Sequence, residues 1–272
     1  MRGLLAARRA KVQAISYIPF GNNNAELNNR FATFRDLVCK LIYRLPAGYL
    51  TISRYQASLL RRFTRDDQSI QIINNPADFD YAAPLPEVQY APGESLEIAV
   101  VGRIVFKQKN QDALIPLAQM LAEKLNFRIH IVGDGPDKVR LQNMIAAAGL
   151  TNRFVLHGWM QKPELIPFLS EHIDLIIIPS LYEGLPLILL EALYLNMPFL
   201  ISDLGLLGEY DLPQSWRFDP RDPADMVKRV TNLGECLDPK QYAALRKRVL
   251  ELHSSQRFHA DVASAFDADY GH

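Results

Sequence analysis

The chain is poor in cysteine, has no excess of either charge and contains no long apolar run. Its two cysteines, Cys39 and Cys236, lie far apart and in no metal or redox spacing. That excludes a disulfide-built scaffold and fits a reducing cytoplasm. The longest apolar stretch, around 185–201, is interrupted by Glu191, Asn196 and Pro198. No segment therefore reaches transmembrane length. Leu4 to Ala7 is too short, and too closely followed by arginine, for a secretory signal. No zinc spacing and no G-x-S-x-G elbow occurs. Gly133 and Gly135 lack the third glycine and the downstream acid of a dinucleotide fingerprint. Asp267-Ala268-Asp269 spells the D-x-D of metal-dependent transferases, but no apolar strand precedes it, so it reads as accidental.

What is present is ordinary globular material: 272 residues, 49% hydrophobic and 22% charged. The length suits one large domain or two small ones. Lys and Arg balance Asp and Glu at 30 each, yet unevenly. Residues 1–65 hold twelve Lys/Arg against Glu26 and Asp36, a block of about +10. A solvated basic face explains it, as does an anionic partner such as a membrane surface. No nucleic-acid module accompanies the block, so nucleic acid is not expected as a partner. The expected place is the cytoplasm, with peripheral contact at the inner membrane face.

Short β-rich runs alternate with helical stretches, which predicts parallel βαβ units. Strands are expected at 11–20, 48–53 and 69–76, with a helix over 26–45 and another after Ser53, a candidate N-cap. On the first helix Leu27, Phe31, Phe34, Val38, Leu41 and Leu45 share a face. That face is expected to pack on a sheet, the alternative being a membrane surface. Residues 81–95, rich in proline, read as a linker. A second series follows: strands at 96–104, 127–135, 153–159, 174–180 and 198–203. Helices are expected at 112–125, 138–150, 163–170 and 185–196, then around 223–234, 239–252 and 257–268. Five such β-runs describe an open, doubly wound sheet. The expected organisation is a partial N-terminal Rossmann-like domain over 1–80, the linker, and a complete domain over 96–255. A helix over 256–272 crosses back to the first domain.

PSLYEGLPLILLEAL, residues 179–193, carries two glutamates in the most apolar part of the chain. An unpaired buried carboxylate costs several kcal/mol. Glu183 falls in the loop after a strand, where ligands of doubly wound sheets bind. The following helix is expected to begin near Leu185 or Pro186, with Glu191 between one and two turns inside it. Free N–H groups in the first turn suit a phosphate. An anion site flanked by two acceptors fits a nucleotide sugar; local capping and a salt bridge are the bland alternative.

This E-x7-E pattern resembles the signature of the retaining glycosyltransferase family 4, of GT-B fold. VGRIVFKQKNQDALI (101–115) and IVGDGPDKVRLQNMIAAAGLTNRFVLHGW (131–159) resemble two further segments of that family, in the family's order. The resemblance implies an α/β fold of GT-B type and transfer of a sugar from a UDP- or GDP-sugar to an acceptor hydroxyl. It further implies retention of configuration and no metal or other cofactor. Arg103 and Lys109 would hold the donor diphosphate, Lys109 rather than Lys107 on the strength of Asn110 after it. Glu183 would contact the donor sugar and Glu191 the ribose. The backbone of Gly184, Leu185, Pro186 and Leu187 would lie against sugar and phosphate, Pro186 having no N–H to give. The loop around His157, Gly158 and Trp159 would hold the base. Polysaccharide or glycolipid synthesis is implied, with a saccharide or lipid-linked acceptor. The first segment is short for a GT-B domain, so an N-terminally truncated chain is expected. A non-catalytic nucleotide-sugar-binding module, one part of a split transferase, or an epimerase remain as alternatives.

Overall fold

The computed structural model describes residues 15–18, 32–77, 94–236 and 238–270. These fall into two compact units. One comprises 15–18, 32–77, 183–185 and 251–270, and the other comprises the rest. The expected linker lies almost wholly outside the described residues.

The first unit is built on a three-stranded parallel sheet in the order β1 (Ile15–Ile18), β2 (Gly48–Thr51), β3 (Ser69–Ile72). Helix α1 (Ala32–Tyr43) joins β1 to β2, and α2 (Arg54–Arg61) joins β2 to β3. Ser53 caps α2 as its residue type requires, its hydroxyl accepting from Gln56 N–H at 3.1 Å. Tyr49, Ile52, Leu60 and Phe63 form the buried centre. On α1 the expected apolar face is not fully covered, since Leu41 stands 65% exposed; Leu37, outside that face, is 56% exposed. Leu27 and Phe31 lie outside the described residues, as do the outer parts of the expected 11–20 strand.

The second unit holds a six-stranded, all-parallel sheet. Its strands are β4 (Leu96–Val101), β5 (Phe127–Val132), β6 (Phe154–Gly158), β7 (Leu175–Ile178), β8 (Phe199–Ser202) and β9 (Arg217–Phe218). They lie in the order β6-β5-β4-β7-β8-β9. The five expected strands are present. The sixth, two residues long, is too short to leave a periodic signal. The central strand β7 is buried along its whole length, as its unbroken Leu-Ile-Ile-Ile demands in a sheet covered on both faces.

A single turn, α3 (Phe106–Lys109), and a 3-10 turn at Gln111–Ala113 precede α4 (Leu114–Leu121). The expected helix over 112–125 is thus shorter, and opens with that turn. Then come α5 (Lys138–Ala147), α6 (Lys162–His172), α7 (Leu187–Tyr194), α8 (Pro223–Thr231), α9 (Leu233–Cys236) and α10 (Pro239–Leu252). Helices α4, α5 and α8 close one face of the sheet. Leu114, Leu117, Leu141, Ile145, Met226 and Val230 join Ile98, Val100, Ile129 and Ile131 there in one aliphatic core. The other face carries Glu97, Ala99, His130 and His157, where α6 lays its Phe168 ring. Helix α10 is tied to α7 by the buried Tyr242, whose hydroxyl lies 2.5 Å from Met197 O and 3.1 Å from Ala192 O.

Helix α11 (Ser255–Tyr270) belongs to the first unit again and contains the Asp267–Asp269 triplet. Within that unit His253 Nδ1 donates to Asn75 O at 2.7 Å, and Ala77 N–H donates to His253 O at 2.7 Å.

Candidate active site

The strand order reverses between β4 and β7, which are neighbours in the sheet although far apart in sequence. Loops leaving the carboxyl ends of two strands that wind in opposite directions diverge and leave a crevice, the usual ligand site of such sheets. The loops here are Gly102–Val105 after β4, Gly133–Gly135 after β5, Gly158–Gln161 after β6 and 179–186 after β7. Of the residues implied by the sequence resemblance, Arg103, Trp159 and 183–186 lie on these loops, Gly158 where β6 ends, His157 on β6, Lys109 on α3, and Leu187 and Glu191 on α7.

The first two loops are locked together. Gly102 N–H donates to Val132 O at 2.9 Å and Ile104 N–H to Asp134 O at 2.9 Å. Asp137 Oδ2 accepts from Phe106 N–H at 2.9 Å, fixing the start of α3. A side chain at Gly133 would meet the Gly102 carbonyl oxygen at 2.0 Å, and one at Gly135 the Ile104 oxygen at 2.2 Å. The backbones approach more closely than any Cβ permits. These glycines, discarded above as an incomplete dinucleotide fingerprint, are required by loop packing.

Arg103 is exposed at this junction. Its carbonyl accepts from the buried Gln111 Nε2 at 2.9 Å, so its backbone is held while its guanidinium faces outward. Lys109 returns to the same place: a Cβ on Gly102 would lie 3.6 Å from Lys109 Cε and 3.7 Å from Nζ. Asn110 ends α3 in the left-handed region, which asparagine tolerates, and its amide donates to Pro220 O at 2.9 Å. Lys107 is exposed on the same turn. Leu181 N–H donates to Gln108 O at 2.8 Å, joining the loop after β7 to this turn.

Helix α7 starts at Leu187 with Pro186 as its N-cap residue and no side-chain cap. The helix thus opens one or two residues later than expected, and Glu191 lies just over a turn inside it. Burial pushes the Glu191 carboxyl above its ordinary value, while the Lys162 charge pulls the other way. Lys162 opens α6 directly after the Gly158–Gln161 loop, so that loop and Glu191 lie in one neighbourhood. Trp159 is 66% exposed there, and Leu187 57%. Glu183, Gly184 and Leu185 group with the first unit; Gly184 is buried, Glu183 and Leu185 half-buried.

One cluster escaped sequence reasoning. Glu97 Oε2 lies 2.7 Å from His130 Nε2, and His130 Nδ1 lies 2.9 Å from His157 Nε2. These residues come from three strands; Glu97 and His130 match no motif, and His157 was named only for the loop it opens, so only the alternation of faces along each strand hinted at their meeting. Burial, and secondly the His130 charge, hold the His157 imidazole below its ordinary range.

Residues 85–256, well over half the chain, match the family model described as glycosyl transferases group 1. The 2-deoxystreptamine glucosyltransferase of Streptomyces kanamyceticus is 32% identical over 144 residues, 50% of this chain and 37% of that protein. The lipopolysaccharide 1,6-galactosyltransferase of Escherichia coli strain K12 is 29% identical over 149 residues, 51% of this chain and 40% of that protein. The match thus spans about two fifths of the length of these relatives. Among solved structures, the lipopolysaccharide outer core galactosyltransferase WaaB in its apo form superposes with a TM-score of 0.68 at 20% identity. It covers 97% of this chain and 72% of its own. Sucrose-phosphate synthase from Thermosynechococcus elongatus gives 0.75 at 17% identity, over 99% and 71%. Anabaena HepE in complex with UDP gives 0.74 at 16%, over 98% and 75%. The shared fold is the α/β, parallel-sheet GT-B type expected above. With a sheet that reverses at β4 and β7, glycine-locked loops at that point and a family match across them, the chain belongs to the glycosyl transferases group 1 family.

Proposed function

We propose that the chain is a retaining, metal-independent transferase of family 4 type that moves a hexose from a UDP-hexose to an acceptor hydroxyl. One observation carries this reading. Arg103 and Lys109 follow β4 at its reversal against β7, and Glu191 shares the neighbourhood of Lys162 with the loop after β6. The similarity to a glucosyltransferase and a galactosyltransferase favours a hexose, and the UDP complex of a structural neighbour favours UDP over GDP.

In this reading the bond from the sugar's anomeric carbon to the diphosphate breaks while one to the acceptor oxygen forms. The acceptor hydroxyl gives its proton to the departing phosphate oxygen, and UDP leaves. Charge grows on the departing phosphate, where Arg103 and Lys109 sit as preorganised cations. The first N–H groups of α7 add a positive dipole end. Glu191 accepts from the ribose hydroxyls, Glu183 holds the donor sugar, and Gly184 to Leu187 line sugar and phosphate. Gly158 and Trp159 frame the base.

The acceptor is a saccharide or a lipid-linked saccharide in polysaccharide or glycolipid synthesis. Helix α1 supports a membrane-facing side: Leu37 and Leu41 are exposed beside the exposed Lys40 and Arg44. Among the described residues no helix is long and apolar enough to cross a membrane. Co-sedimentation with vesicles that ignores both salt and anionic lipid would count against that side.

Calorimetric titration with UDP, GDP and their hexose conjugates tests the donor site. Saturable UDP binding, weakened at least tenfold in Arg103→Ala and Glu191→Ala, is expected. A folded chain that binds no nucleotide, or binds equally in both variants, overturns the assignment.

A further inference from the structure

On the sheet face under α6, Glu97, His130 and His157 form a continuous polar line across β4, β5 and β6. Glu97 is itself clamped: its N–H donates to Asp174 Oδ2 at 2.8 Å and its carbonyl accepts from Asp174 N–H at 2.8 Å. A carboxylate can only accept, so it fixes a proton on His130 Nε2. The 2.9 Å contact between His130 Nδ1 and His157 Nε2 then holds one proton between the two rings. Burial favours the neutral form of His157. The two rings lie 5.1 Å apart at 15°, and Phe168 packs 4.7 Å from His157.

His157 is also the extra residue of β6. Leu156 pairs with Ile131 and Gly158 with Val132, so His157 has no partner position on β5. Such a bulge re-aims the chain at a strand end. Gly158 completes it with φ +76°, and its carbonyl accepts from Gly133 N–H at 2.7 Å. The bulge at the end of β6 is thereby tied to the loop after β5.

We propose that His157 is a positioning residue for the donor's base: its bond to His130, held by Glu97, anchors the bulge that sets the Gly158 carbonyl and the Trp159 loop. This rests on the donor reading above. The base is gripped by a loop whose geometry is fixed from beneath the sheet, while the diphosphate is held by Arg103 and Lys109 independently.

The test compares UDP with inorganic pyrophosphate, which has no base. In His157→Phe the ring stays and the bond goes. UDP affinity should fall about tenfold, the loss of one hydrogen bond's worth of ordering, with pyrophosphate affinity unchanged. His157→Gln places an amide nitrogen near the Nε2 position and should recover most of the loss. If the Phe variant does not fold, His157→Asn, too short to reach His130, should show the same split. Equal UDP affinity in wild type and the bond-free variant overturns the inference, as does a parallel loss for pyrophosphate or failure of Gln to rescue. A folded wild type that binds neither ligand overturns the donor reading, and this inference with it. Pyrophosphate binding with no gain from the base overturns this inference alone.

Discussion

Replacing Gly133 by alanine puts a methyl group where a carbonyl already stands. The new Cβ would lie 2.0 Å from Gly102 O and 2.8 Å from Gly102 C. A carbon–oxygen contact needs about 3.3 Å, so the loops after β4 and β5 must part by roughly 1 Å. Both atoms are backbone, and no side chain can swing aside. Gly133 also sits at φ +145°, a region costing a side chain about 1–3 kcal/mol. At roughly 2–4 °C per kcal/mol for a unit of this size, the melting temperature should drop by several degrees. The functional loss should be larger, because Arg103 follows Gly102 directly. A misplacement of about 1 Å costs on the order of a hundredfold in rate. The assay pairs thermal melting with hexosyl transfer or UDP binding. Gly149→Ala is the control: its φ is +69° but nothing lies within 4 Å of the added methyl. It should lose about 1 kcal/mol and leave the ligand site untouched. If Gly133→Ala matches Gly149→Ala in both readouts, the loops are not locked as described.

Glu191→Gln should stabilise the ligand-free protein while weakening UDP binding. A carboxyl raised by burial above its ordinary 4.5 binds more protons folded than unfolded. Stability therefore falls as pH rises through that window, and the full penalty is present at pH 7. The variant should melt a few degrees higher at pH 7, with the gain vanishing below pH 4, and should bind UDP at least tenfold more weakly. His253 works in the opposite sense. Burial holds it below its ordinary 6.5 although the Asn75 carbonyl favours the charged ring. The unfolded chain takes up the proton first, so stability is intact above pH 6.5 and is lost as pH falls below it. The protection factor of Ala77 N–H, taken against the intrinsic exchange rate at each pH, should fall between pH 7 and 5.5. Tyr242→Phe takes the hydroxyl donor from the buried Met197 carbonyl, while Ala192 O keeps the Met197 N–H. Urea titration should show about 1–3 kcal/mol lost.

The alternation of strands and helices was legible because parallel βαβ units must alternate apolar runs with amphipathic ones. Ser53 was legible as a cap because hydroxyl, strand end and helix start coincide there. Strand β9 was not, since two residues carry no period. The Glu97–His130–His157 line was invisible because its members lie 33 and 27 residues apart and meet through register alone. The same holds for Gly133: a sequence shows a glycine but not the carbonyl that excludes every other residue. Arg103, Lys109 and Glu191 are named as a set only by the resemblance, which rests on three segments falling in one order. Leu41, assigned to a packed face by its spacing, is exposed because periodicity identifies a stripe and not what covers it.

The bond between His253 and Asn75 spans 178 residues of chain. The first unit therefore closes around a loop that contains almost the whole second unit. During synthesis β1 to β3 emerge early, yet their partner segment arrives only after residue 250. The second sheet, whose strands are nearer neighbours in sequence, is complete by then. Closing so long a loop is slow. A sheet synthesised before the second unit is thus completed after it, and the nascent three-stranded sheet is where a chaperone has most reason to wait.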